Sequence, residues 1–207
     1  TEEEKHVTEI VRTAIQAFNN FDYNSAEVKR AVIQLANIAW YADLPNHSEF
    51  NEAGLIFTLI DVVKFTEEDT TRSSALDVLG CCMESLDKAF VDEHFNPEVI
   101  EDITHFTQSD NSYTKASTYA FLGSCACLDE SIRDFILERI PISQAKHDME
   151  KCPMGDTTKI LALLAGYLHF PIDPQSVNQI LNQILNIKEN GDTRFAPDIL
   201  NILSLVV

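Results

Sequence analysis

AVIQLANIAW at residues 31–40 returns, aligned on its central leucine, as SALDVLGCCM at 74–83, STYAFLGSCA at 117–126, KILALLAGYL at 159–168 and, shortened, ILNILSLVV at 199–207. The leucines are Leu35, Leu79, Leu122, Leu164 and Leu203, so the steps are 44, 43, 42 and 39 residues. A self-similar period of this length is the signature of stacked helical repeats. Three residues beyond each leucine stand Ile38, Cys82, Cys125, Tyr167 and Val206, which completes an i, i+3 apolar face and predicts a core-facing helix. The residue directly after each leucine is small: Ala36, Gly80, Gly123, Ala165 and Ser204. Glycine inside a helix costs roughly 0.5–1 kcal/mol relative to alanine. Its return at one register therefore predicts a column where neighbouring helix backbones approach closely.

Around these helices the rest of the repeat takes shape. Asp69, Asp156 and Asp192 precede the periodic runs and are expected to cap them, as are Asn24-Ser25 and Asn111-Ser112. Second amphipathic segments lie at Leu55–Phe65, Glu98–Phe106, Ile140–Met149 and Val177–Ile187, and a leading helix spans Glu2–Phe21 with Ile10, Val11, Ala14, Ile15 and Phe18 on one face. Pro45, Pro97, Pro153, Pro171 and Pro174 fall between periodic runs, where a missing amide hydrogen is tolerated. Pro197 suits the first turn of the last helix, whereas Pro141 interrupts the segment at 138–150. The expected fold is all-α, a solenoid of about four to five repeats. One domain of residues 1–207 is expected: a leading half-repeat to residue 24, then repeats ending near 41, 84, 128, 169 and 207. The uncapped apolar end, Ser204-Leu205-Val206-Val207, and the start at Thr1 point to a fragment or a docked terminus.

Composition restricts the function. The chain has 207 residues, 45% of them hydrophobic, and its 33 acids against 15 Lys and Arg give a net charge of −18. Such a chain folds, and as a whole it repels nucleic-acid phosphates and anionic membranes. Only six glycines occur, which disfavours turn-rich β folds. No stretch approaches the roughly 18 apolar residues of a membrane span. Five cysteines, an odd number set mostly within apolar helical runs, argue for a reducing, cytoplasmic setting rather than a disulfide framework. The sequon Asn46-His47-Ser48 would matter only in a secretory compartment.

Leu35-Ala36-Asn37-Ile38-Ala39, then Asn51-Glu52-Ala53-Gly54-Leu55 leading into Leu59-Ile60, then Ser74-Ala75-Leu76-Asp77-Val78-Leu79-Gly80, resembles the armadillo repeat, most closely over residues 25–128. The resemblance implies a right-handed α-solenoid whose third helices line a concave groove that binds extended peptides or folded partners without catalysis. Importin-α-like and β-catenin-like proteins hold a peptide with an asparagine two residues after the core leucine. Here that column reads Asn37, Cys81, Ser124, Gly166 and Leu205, and the tryptophan four residues earlier is replaced by Ile33, Asp77, Ala120 and Ala162. Nuclear-signal recognition is therefore not expected. The stretch from Leu35 to Cys82 is also similar to the armadillo-type nucleotide-exchange co-chaperones of heat-shock ATPases. The same features occur in the regulatory, autoinhibitory segments of formins.

Candidate site residues follow from this frame. Lys29, Arg30, Arg72, Lys115, Lys159 and Arg194 recur near the starts of the third helices. They either balance neighbouring acids or form a basic strip that steers an acidic partner. Tyr119 and Trp40 are candidate apolar anchors, and Trp40 serves equally well as core cover. Arg30, Asn37, Arg72, Lys115, Tyr119 and Lys159 are thus the expected partner-binding residues. No catalytic or cofactor-binding motif occurs, and no cofactor or metal is expected. The close-set cysteines read as small core filler, since Cys125-Ala126-Cys127 sends its sulfurs to different helix faces. A cysteine-dependent enzyme, the remaining alternative, would need an exposed thiol beside a histidine.

Overall fold

A computed structural model describes residues 1–152, 156–189 and Ser204. Its described residues contain helices and turns without strands. They divide into two units, Thr1–Thr118 and Tyr119–Val207.

The first unit opens with α1 (Glu2–Phe18), where Thr1 and Glu4 form a reciprocal cap. The helix stops three residues short of Phe21, because Phe21 itself takes a left-handed φ of 52°. Next comes α2 (Ala26–Ala39), capped by Ser25 onto the amide of Val28. One full repeat then follows as α3 (Ser48–Glu52), α4 (Leu55–Phe65) and α5 (Asp69–Cys82). The next is α6 (Lys88–His94), α7 (Pro97–Thr104) and α8 (Ser112–Ala126), whose second half passes into the second unit. The second unit continues with α9 (Glu130–Arg139), α10 (Ile142–Lys151), α11 (Thr157–Tyr167) and α12 (Pro174–Glu189). Each complete repeat is thus a set of three helices, with the first one short in α3 and α6 and ten residues long in α9.

The first helices α3, α6 and α9 are additions to the sequence reading. In α3 and α6 too few turns carry apolar positions for a 3.6-residue period to stand out, and α9, ten residues long, buries only Arg133 and Ile136. What separates them from the second helices is local chemistry at one register. Gly54 sits at a left-handed φ of 63°, Asn96 caps a helix whose first residue is Pro97, and Pro141 occupies the N-cap position before Ile142. Pro141 is therefore the junction between two helices rather than a flaw within one.

The repeat leucines are fully buried: Leu35, Leu79, Leu122 and Leu164 each expose 0%. Ile38, Cys82, Cys125 and Tyr167 accompany them in the core. The predicted close approach is realised in the second unit between α8 and α11. A Cβ on Gly123 would lie 2.5 Å from the carbonyl oxygen of Ala162, and one on Gly166 would lie 2.5 Å from that of Gly123. The counterpart of Gly123 is thus Gly166, one residue beyond the predicted Ala165.

Two expected caps are corrected. Asp69 is the first residue of α5 rather than its cap, and Glu68 in the cap position makes no capping bond. Asp69 instead accepts from the hydroxyl of Thr114 at 2.9 Å. Asp156 holds the cap position of α11 without a side-chain bond. Asn111 does cap α8, accepting from the amide of Thr114 at 3.0 Å. The expected cap Asp192, the basic Arg194, Leu203, Val206 and the last repeat's helix lie outside the described residues, Ser204 apart. Among the described residues no helix is long and apolar enough to cross a membrane.

Candidate functional site

Helices α2 and α5 pack side by side in the first unit, as do α1 with α2 and α4 with α5. Their starts are tied by polar bonds. Asn24 accepts from the amide of Glu67 at 2.7 Å, and Lys29 pairs with Glu68 at 2.7 Å. With one side buried, α2 and α5 turn their remaining sides to solvent, whereas α8 exposes only Tyr113 and α11 no residue. On α2 that side carries Arg30, Gln34 and Asn37 and ends in Trp40 and Tyr41. On α5 it carries Thr70 and Cys81, followed by Glu84.

Trp40 is 76% exposed and Tyr41 40%, so neither is core cover. Their rings meet edge-to-face at 4.8 Å, and the indole N–H donates to the carbonyl of Asn37 at 3.0 Å. A large aromatic side chain left in water forgoes roughly 1.5–3 kcal/mol of burial. Exposed aromatics held in place are therefore common contact points for partners. Arg30 is exposed, bonded to the carbonyl of Ala26 at 3.3 Å and paired with Glu27 at 3.4 Å. It helps wall an open cavity of about 490 Å³ with Gln16, Asn20, Asp22 and Gln34.

Two expected site residues belong to the interior. The Arg72 side chain is only 13% exposed and donates to the carbonyls of Val63, at 3.0 Å, and Thr66. Its guanidinium also lies over the Phe106 ring at 4.6 Å and pairs with Asp69 at 3.4 Å. It thereby supplies donors to carbonyls that α4 leaves unpaired at its end. Tyr119 exposes 0% and donates its hydroxyl to Asp148 within the second unit. Neither can serve as a contact on an open face. Lys115 and Lys159 are half-buried and already interact with neighbours. Lys29, Arg30 and Arg72 each have an acidic partner, the arrangement in which these charges balance nearby acids.

The column two residues after the core leucine also resolves. Asn37 and Cys81 are exposed, Ser124 is half-buried and Gly166 is buried. That column faces solvent at its first two positions and closes at Gly166, where the backbone of Gly123 occupies the space.

The buried thiols are chemically quiet. Burial, with smaller contributions from Cys81 and Asp43, pushes the Cys82 thiol up to about 12, and burial raises that of Cys125 as well. At neutral pH both are protonated and poor nucleophiles. Among the described residues no three His, Cys, Asp or Glu side chains are grouped to hold a metal ion.

Solved structures with a similar path of the chain include armadillo repeat proteins. A designed armadillo repeat protein in complex with the peptide (KR)4 superposes with a TM-score of 0.67 at 10% identity, covering 95% of this chain and 80% of that one. The fold is that of armadillo repeats. A computationally designed armadillo protein for modular peptide recognition gives 0.65 at 10% identity over 92% of this chain and 79% of that chain. The armadillo-repeats-only protein of Plasmodium falciparum gives 0.58 at 16% identity over 86% and 80%. No protein-family model and no curated protein matches the chain. In armadillo terms α2, α5, α8 and α11 are third helices, and the sequence alignment on Leu35, Leu79, Leu122 and Leu164 is the repeat register.

Proposed function

We propose that the chain is a non-enzymatic interaction module that binds a protein or peptide through the exposed sides of α2 and α5. The observation that carries this reading is the set Arg30, Asn37, Trp40 and Tyr41, an exposed polar and aromatic run along α2 and past its end, with the exposed Cys81 on the neighbouring α5. Similarity to designed armadillo proteins, one of them in complex with a peptide, supports it. Burial and protonation speak against Cys82 and Cys125 as nucleophiles.

A photo-crosslinking amino acid placed at position 37 or 81 should capture a partner from lysate, whereas the same group at Phe57 on α4 should not. Equal capture from all three positions would contradict the proposal. Within this class, the finer reading is a nucleotide-exchange factor for a heat-shock ATPase. It rests on the similarity of the Leu35–Cys82 stretch to such co-chaperones. Release of a fluorescent nucleotide from a purified heat-shock ATPase should accelerate when the chain is added. An unchanged release rate would remove that reading while leaving the interaction module standing.

A further inference from the structure

We propose that the exposed side of α2, bracketed by Phe21 before the helix and by Trp40 and Tyr41 past its end, docks a proline-rich segment of the partner in the polyproline II conformation. This rests on the chain being a binding module and names the class of segment it binds. Phe21 supplies the first observation. Its φ of 52° lies in the left-handed region, which is strained for a phenylalanine, and its ring is 74% exposed. Neither backbone preference nor burial therefore accounts for a Phe there, whereas contact with a partner does. Asn20 and Asp22, on either side of it, wall the same open cavity of about 490 Å³ as Arg30 and Gln34 of α2. Phe21 thus borders the start of the side that Trp40 and Tyr41 close.

What lies between these rings is neutral. The charged groups of the cavity are engaged, Arg30 with Glu27 at 3.4 Å and Asp22 with the backbone amide of Asn24 at 3.2 Å. The side-chain amides of Gln16, Asn20, Gln34 and Asn37 are exposed and make no hydrogen bond among the described residues. Such donors suit a row of carbonyl acceptors, and a proline-rich segment offers carbonyls while lacking most amide hydrogens. Its pyrrolidine rings stack on aromatic faces, and its fixed φ reduces the entropy lost on docking. The Trp40 indole N–H is already held by the carbonyl of Asn37, so that ring acts through its face. The dimensions agree as well. The 14 residues of α2 rise about 21 Å, which about seven residues of polyproline II span at roughly 3.1 Å each.

Trp40 is the single tryptophan, so its emission reports the site directly. Titration with octaproline at about 150 mM salt should change that emission saturably. The flexible peptide (Gly-Ser)4, of equal length, should bind about tenfold more weakly. Phe21→Asn keeps a residue suited to a left-handed φ, so it should bind octaproline about fivefold more weakly at an unchanged or raised thermal midpoint. Phe57→Ser, which removes an exposed ring from α4, should bind like wild type. Equal affinity for the two peptides, tighter binding of octa-arginine than of octaproline, or equal weakening in both variants would overturn the proposal. So would wild-type affinity or a lowered midpoint in Phe21→Asn. Any of these results, with crosslinking at position 37 intact, would discard the proline-rich segment and keep the module; loss of that crosslinking as well would discard both.

Discussion

Arg72 shows how a residue type can be read correctly and its place wrongly. Sequence spacing puts it near the start of a third helix, where a basic strip would begin. The folded chain turns it inward, onto the carbonyls of Val63 and Thr66 and the ring of Phe106. Arg133 does the same in the second unit. Its side chain is 3% exposed and donates to the carbonyls of Tyr167, Phe170 and Pro171, each at 3.2 Å. A helix end needs donors for its last carbonyls, and nothing in a linear pattern says which distant arginine will provide them. Arg72→Met should therefore lower stability by about 2–4 kcal/mol in urea denaturation, because it leaves those carbonyls unpaired. A loss below 0.5 kcal/mol would show the side chain to be peripheral. Cys82 gives a second residue-scale expectation. Its thiol ionises near 9 when unfolded and near 12 when folded, so the unfolded chain releases its proton first. Stability should be constant below pH 9 on this account and decline toward pH 12, by roughly 1.4 kcal/mol per pH unit for such a group. Cys82→Ala should flatten that slope in denaturant titrations across this range.

At the scale of elements, the sequence is most legible where burial repeats. Leu35, Leu79, Leu122 and Leu164 announce the third helices because a full helical face enters the core at each, and α4 runs from Leu55 to Phe65 as expected. The first helices escaped because α3 and α6 are short, α9 buries only Arg133 and Ile136, and their separators, Gly54, Pro97 and Pro141, are different residues doing one task. The exposed pair at the end of α2 was half legible. Trp40 was a candidate anchor, but the open position of Tyr41 depends on where α2 ends and the chain turns. The crossing of α8 and α11 yields a prediction whose sign is set by geometry. In an open helix Gly→Ala stabilises by roughly 0.5–1 kcal/mol. At Gly123 the added carbon would meet backbone atoms of Ala162 at 2.5 and 2.6 Å, so the helices must separate. Gly123→Ala should then lower the thermal midpoint, with a cost of about 1–3 kcal/mol. A raised midpoint would mean that the crossing is loose.

For the whole molecule, the charge of −18 excludes some partners and permits others, and its distribution is what matters. Several acids are paired across or within helices, and with 33 acids against 15 Lys and Arg many others stay uncompensated. Net self-repulsion remains, so raising salt from about 10 to 150 mM should raise the thermal midpoint, through screening at a Debye length that falls from about 30 to 8 Å. A fall would indicate that the ion pairs outweigh the repulsion. The armadillo architecture was readable from one period and one resemblance. The binding face was not, since exposure depends on which side of each third helix its neighbours cover. The central claim is that this face binds. Its most direct test is the affinity of the partner captured at position 37 for the variant Asn37→Ala/Trp40→Ala, measured beside the variant's thermal midpoint. The account predicts binding weakened by about tenfold or more at an unchanged midpoint. Wild-type affinity in that variant would contradict it.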